Sequence, residues 1–287
     1  MNGNRTARII QKLRRLKVDP LNSLLMNDKT KLFLILWLAG LAGVFSFLLV
    51  DLSALLSILP LPSGTKIPPI TPALKLLSLI QPLVVLSLAV FVGVALASKV
   101  GLSSPVAEAA ASGREIGSAL KPQIVPGLIG GLAGGLSIVL SASLVKLFLS
   151  PDAVARITEL GRHVPLATRL LYGGVTEELL LRWGLMTLLV WAAWRLLQKG
   201  RNKPKAAYFV GAILISSVVF GIGHLPIAFM LLPEATYALT TYVIVGNSIF
   251  GLIAGYLYWK RGLESAMIAH MLAHVVLFTA SYFGAYF

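Results

Sequence analysis

The stretch LYGGVTEELLLRWGLM, residues 171–186, sets two glutamates and an arginine inside an otherwise apolar run, and its reading decides the fold. Apolar character continues on both sides, from Pro165 to Gln198. At 1.5 Å per residue, a helix of about 34 residues is about 51 Å long. That exceeds a ~30 Å hydrocarbon core, so a kink or an interfacial first section is expected. The rest of the chain agrees with a membrane setting. Of 287 residues, 57% are hydrophobic and only 13% charged, with a mean hydropathy of +0.84. A soluble chain carries about 25% charged residues. The fold class expected is therefore all-α, a polytopic transmembrane helix bundle of about seven, possibly eight, spans.

Working outward, earlier spans are expected near 32–50, 76–97 and 124–149, and later ones near 206–224, 237–259 and 263–286. A Pro-rich link holding Pro60, Pro62, Pro68, Pro69 and Pro72 separates the first two. In the third, Gly127, Gly131 and Gly135 recur every four residues, a stripe along which another helix backbone can approach closely. The organisation read from this has three parts. Residues 1–30 form a basic amphipathic or flexible amino-terminal segment, 31–160 the amino-terminal transmembrane helices and loops, and 161–287 a helical core carrying the charged motifs.

The 25 Lys and Arg outnumber the 11 Asp and Glu, for a net charge of +14. They flank apolar spans instead of forming a face with stacking aromatics, so nucleic acid is not the expected partner. Eighteen fall on the side of the amino terminus, six on the other, and Arg182 within a span. The positive-inside rule then makes this a multi-pass cell-membrane protein with a cytoplasmic amino terminus and, with seven spans, an outside carboxy terminus. No cleavable signal peptide is read at the amino end. Cysteine is absent, which excludes disulfides, thiolate metal sites and cysteine nucleophiles.

A carboxylate in an apolar span costs several kcal/mol unless paired, hydrated or neutralised, so Glu177 and Glu178 are candidates for function. Glu178 and Arg182 are i,i+4 with the acid first, the favourable order for a pair on one helix face. Glu177 points about 100° away and needs another partner. Histidines supply one. His224 closes the fifth span, and His270 and His274 share a face of the seventh. His163 lies in a loop-like polar segment and is given no role.

Two chemistries fit these residue types. His270 and His274 with a glutamate from another helix would make a zinc site whose bound water is the nucleophile. Alternatively Glu177 with His224 deprotonates water directly, and His270 and His274 donate hydrogen bonds to the oxyanion of a tetrahedral intermediate. The HExxH arrangement is absent, because Met271 follows His270. Two readings without hydrolysis are a scaffold that binds a partner and a transporter using the acid and histidines as a proton relay. The transporter reading lacks the expected repeats.

EELLLR (Glu177 to Arg182), FGIGH (Phe220 to His224) and HMLAH (His270 to His274) resemble, in order, the EExxxR, FxxxH and HxxxN motifs of the CPBP intramembrane protease family, which includes type II CAAX prenyl endopeptidases and bacteriocin-processing, Abi-like members. The likeness covers roughly residues 165–280. It implies a glutamate-dependent intramembrane endopeptidase without a metal cofactor. Glu177 would activate water with His224, Arg182 and Glu178 would hold the architecture, and His270 would help stabilise the oxyanion. The implied partners are the lipid bilayer and a lipidated or membrane-associated peptide, in the prenyl branch a Cys-a-a-X tail that loses its last three residues. Other relatives confer bacteriocin immunity. His274 stands where the family usually has asparagine, so donation from that position depends on the imidazole tautomer.

Overall fold

The computed structural model describes residues 27–61, 64–65, 69–232 and 237–284. The reading of residues 1–30 as a basic amphipathic or flexible segment therefore lies almost wholly outside the described residues. Its last four residues begin the first helix, where the Asn27 side chain accepts from the Thr30 amide at 2.9 Å and so satisfies an end-of-helix donor. The described chain is helical without strands, and seven helices are long and apolar enough to cross a membrane.

In chain order the helices are α1 (Asp28–Ser46), α2 (Leu52–Ser57), α3 (Pro72–Ser78), α4 (Ile80–Val100), α5 (Pro105–Ala111), α6 (Ile116–Lys146), α7 (Pro151–His163), α8 (Leu166–Leu197), α9 (Ala206–Gly223), α10 (Leu225–Leu231), α11 (Tyr237–Lys260) and α12 (Leu263–Tyr282). The helices α3 and α4 make one span with a break at Leu79, and α9 and α10 make another, interrupted at His224. Several boundaries differ from the sequence reading. The third span begins at Ile116, not near residue 124, and runs through Pro122 and Pro126. His163 is the last residue of a helix, not part of a loop, and lies 3.6 Å from Glu159 one turn earlier.

The expected excess length between Pro165 and Gln198 is resolved without a break. Helix α8 is continuous but π-helical over Arg169–Glu177 and again over Leu179–Met186. In a π-helix the repeat is i to i+5. The Thr187 hydroxyl lies 3.2 Å from Arg182 O, five residues back. The wider winding carries more residues along the same depth of membrane.

Helix α8 lies between two groups of helices. On one side α1 and α4 pack on it, joined by hydroxyl-to-carbonyl bonds from Thr168 to Ser46 O (2.9 Å) and from Thr176 to Gly40 O (2.8 Å). Such bonds hold helices together where burial of apolar surface gives no net drive. On the other side lie α9, α11 and α12. The glycine stripe of α6 meets α12 as expected. A Cβ at Gly131 would sit 2.7 Å from both Ala269 O and the Leu272 Cβ, and one at Gly135 would sit 2.8 Å from the Val276 Cβ.

Candidate active site

The acids of α8 and the histidines of α9 and α12 converge, and His270 is the ring that lies between the two acids. The His270 imidazole lies between the two glutamates: Nδ1 is 2.7 Å from Glu178 Oε1, and Nε2 is 3.8 Å from Glu177 Oε2. An ionised carboxylate only accepts, so the Nδ1 proton points at Glu178 and the tautomer is set. The second nitrogen is left facing Glu177 at a distance too long for a direct hydrogen bond. A ring with one nitrogen on each edge can thus join two acids that point to different sides of one helix.

Glu178 is wholly buried, and its other oxygen, Oε2, is 3.3 Å from Nε of the equally buried Arg182. Arg182 Nη2 donates to Gly251 O at 3.0 Å, and its guanidinium carbon lies 5.2 Å from the Phe220 ring centre. The expected i,i+4 pair is therefore present, and it also ties α8 to α9 and α11. Glu177 differs in one respect that matters for chemistry: its side chain keeps 20% of its surface accessible, against 0% for Glu178.

His224 terminates α9, and its Nδ1 is 2.8 Å from Phe220 O, so Nδ1–H donates to that carbonyl and Nε2 keeps a lone pair. Among the described residues no hydrogen bond or ion pair joins His224 to Glu177. The link is through Phe220, whose ring packs edge-on against both His224 (4.8 Å between centres) and His270 (5.7 Å). His274 stacks on His270, with centres 4.9 Å apart and planes 13° from parallel. Its Nε2 fills the place a side chain on Gly173 would take, since a Cβ there would come within 2.2 Å of it.

The zinc arrangement fits poorly with this geometry. Stacked imidazoles present faces to one another, not converging lone pairs, and His270 Nδ1 is engaged by Glu178. Among the described residues no group of three His, Asp or Glu could hold a metal ion.

A cavity of about 360 Å³ adjoins the cluster, bounded by His224 and His274 and otherwise mainly by aliphatic side chains from α7, α10 and α11. Sequence reading missed two polar residues on its wall, Arg169 and Asn247. Arg169 Nε donates to Val164 O at 3.1 Å and its Nη2 to Gly161 O, capping α7. Asn247 sits one helical turn before Gly251, the partner of Arg182, a relation that only the structure reveals.

Residues 161–276 match the family model described as Type II CAAX prenyl endopeptidase Rce1-like. The match supports placing the chain in the CPBP family, a family of membrane-embedded peptide hydrolases. Neither a curated protein nor a solved structure matches the chain.

Proposed function

We propose that the protein is an intramembrane endopeptidase in which Glu177 activates water without a metal. The observation that carries this reading is the contrast between paired acids on one helix. Glu178 is consumed by Arg182 and His270, whereas Glu177 is partly accessible and has His270 opposite it. A general base must reach both water and the reacting group.

In the reaction, the Glu177 carboxylate takes a proton from water as the water oxygen bonds to the scissile carbonyl carbon. His224, with Nδ1 committed to Phe220 O, offers Nε2 as a second acceptor for that water. Negative charge grows on the former carbonyl oxygen, and with the N–H groups of His270 and His224 already engaged, His274, whose Nε2 has no hydrogen-bond partner, is the ring left to donate to it. Collapse of the intermediate breaks the C–N bond, and the proton held by Glu177 passes to the departing amine. Glu178 and Arg182 act by positioning: they fix the orientation of His270.

The substrate is a lipidated or membrane-associated peptide, and the family description makes a prenylated Cys-a-a-X tail the first one to try. Purified protein in detergent is given a farnesylated Cys-a-a-X peptide and a library of unmodified apolar peptides. Cleavage is expected, to be abolished by Glu177→Gln and unaffected by a strong chelator. Full activity of the Glu177→Gln variant removes the proposed base, and chelator-sensitive turnover with stoichiometric zinc restores the metal alternative. Retention of cellular function by that variant favours a scaffold or bacteriocin-immunity role.

A further inference from the structure

The seven spans sort their connecting segments between two ends of the bundle. One end holds Lys99, Arg114 and Lys121 around α5, the run Arg195, Lys199, Arg201, Lys203 and Lys205 after α8, and Lys260 with Arg261 between α11 and α12. The other end holds α2, α7 and α10, with far fewer basic residues.

The cavity belongs to the second end. Its walls come from α7, from the first turns of α8 and α11, and from the ends of α9 and α12 that lie on that side. Arg156 of α7 donates to Leu231 O at 3.1 Å, joining the surface helix to α10 over the cavity. Toward the basic end, by contrast, the contact of α8, α11 and α12 is tightly packed. Trp183, Tyr258, Met186 and Leu263 are almost wholly buried there. Beyond them Glu264 clamps the start of α5 through Ser104, Val106 and Ala107, and Gln123 Nε2 donates to Arg261 O at 3.0 Å. A second hollow at that end, between α6 and α11 and bordered by Lys260 and Arg261, has none of Glu177, His224, His270 and His274 in its lining.

Basic residues accumulate on the cytoplasmic side of membrane proteins. We infer that the chamber beside His224 and His274 is served from the extracytoplasmic side, so that its occupant is an apolar peptide segment presented on that face. A tail displayed only in the cytosol meets the basic end, whose own hollow does not include the histidine cluster. For the word substrate this rests on the hydrolase reading above; the sidedness itself does not. The class of reaction that must come first is export or outward insertion of the peptide.

The absence of cysteine makes the test clean. Single-cysteine variants of the full chain place one thiol at each end: Asp152→Cys in α7 and Lys203→Cys in the basic loop, both at exposed positions. Spheroplasts are treated with a membrane-impermeant maleimide before and after permeabilisation. Asp152→Cys is expected to label at least about tenfold more than Lys203→Cys in sealed cells, with the difference lost on permeabilisation. The reverse order, or equal labelling in sealed cells, overturns the inference. Arg162→Cys and Arg201→Cys give a second pair if either variant fails to insert. A parallel assay adds an impermeant apolar peptide to right-side-out and inside-out vesicles. Cleavage by inside-out vesicles alone contradicts the inference, whereas cleavage by neither counts against the hydrolase reading and leaves the labelling result decisive for sidedness.

Discussion

Two buried acidic sites at different depths of the bundle use the same functional group in opposite ways. Toward the basic end, Glu264 Oε1 accepts from the Ser104 hydroxyl at 2.6 Å and from the amides of Val106 and Ala107 at 3.0 Å each. Those amides begin α5 and have no partner within it, so the carboxylate completes a helix end and locks α12 to α5. At the candidate active site Glu177 has no such set of donors: its near neighbour is His270 Nε2 at 3.8 Å, and part of its surface stays open. An acid that accepts from several fixed donors stabilises structure. An acid that is held nearby but left with capacity can take a proton. Glu178 stands between the two cases, buried and paired with Arg182, yet also bonded to the ring that faces Glu177.

The comparison can be broken or sharpened by substitution. The largest effect is expected for Glu177→Gln, a loss of roughly 10²–10⁴ in kcat, the range for removal of a general base, with an unchanged unfolding midpoint in detergent. A midpoint that falls with activity would move Glu177 into the structural class. Next, Arg182→Met strands the Glu178 charge and should reduce stability by about 3–5 kcal/mol, as removing one partner of a buried pair does. The double variant with Glu178→Met should recover much of the folding stability and none of the activity, which denaturant titration and turnover measure separately. Gly131→Leu overpacks the contact between α6 and α12 and should cost about 1–3 kcal/mol. Glu264→Gln removes the charge from the α5 clamp at about 1–3 kcal/mol, while turnover per folded molecule stays at the wild-type value. The smallest effect belongs to His163→Ala, within about 0.5 kcal/mol, since His163 meets only the exposed side of Glu159.

Much of this was legible from residues alone. The membrane class followed from composition, and the Glu178–Arg182 pair from i,i+4 spacing, because a helix brings those positions together without outside help. The glycine stripe on α6 was legible for the same reason: a four-residue repeat makes a flat face whichever helix covers it. Other features were not. Helix α7, with Arg156, Glu159 and Arg162 among its apolar residues, lies outside the spans and shows no long apolar run. The π-helical winding of α8 leaves no mark in hydropathy, and neither does the close packing of Gly173 and Gly174 against His274 and Met271. Which of the three histidines lies nearest Glu177 was not legible either. Linear spacing says nothing about which of two histidines on different helices turns its ring toward an acid on a third.

By itself the sequence determined that this chain spans a membrane as a helix bundle, that its few intramembrane charges lie on three segments near the carboxyl end, and that Glu178 and Arg182 pair. These depend on solvation and on helical periodicity, which act over a few residues. Only the tertiary structure decided that His270 sits between both glutamates, that Phe220 connects it to His224, that Arg169 and Asn247 border the adjoining cavity, and that this cavity lies at the end away from the basic loops. Those outcomes depend on how α6, α8, α9, α11 and α12 cross, and crossing is set by side-chain shape summed over whole helices.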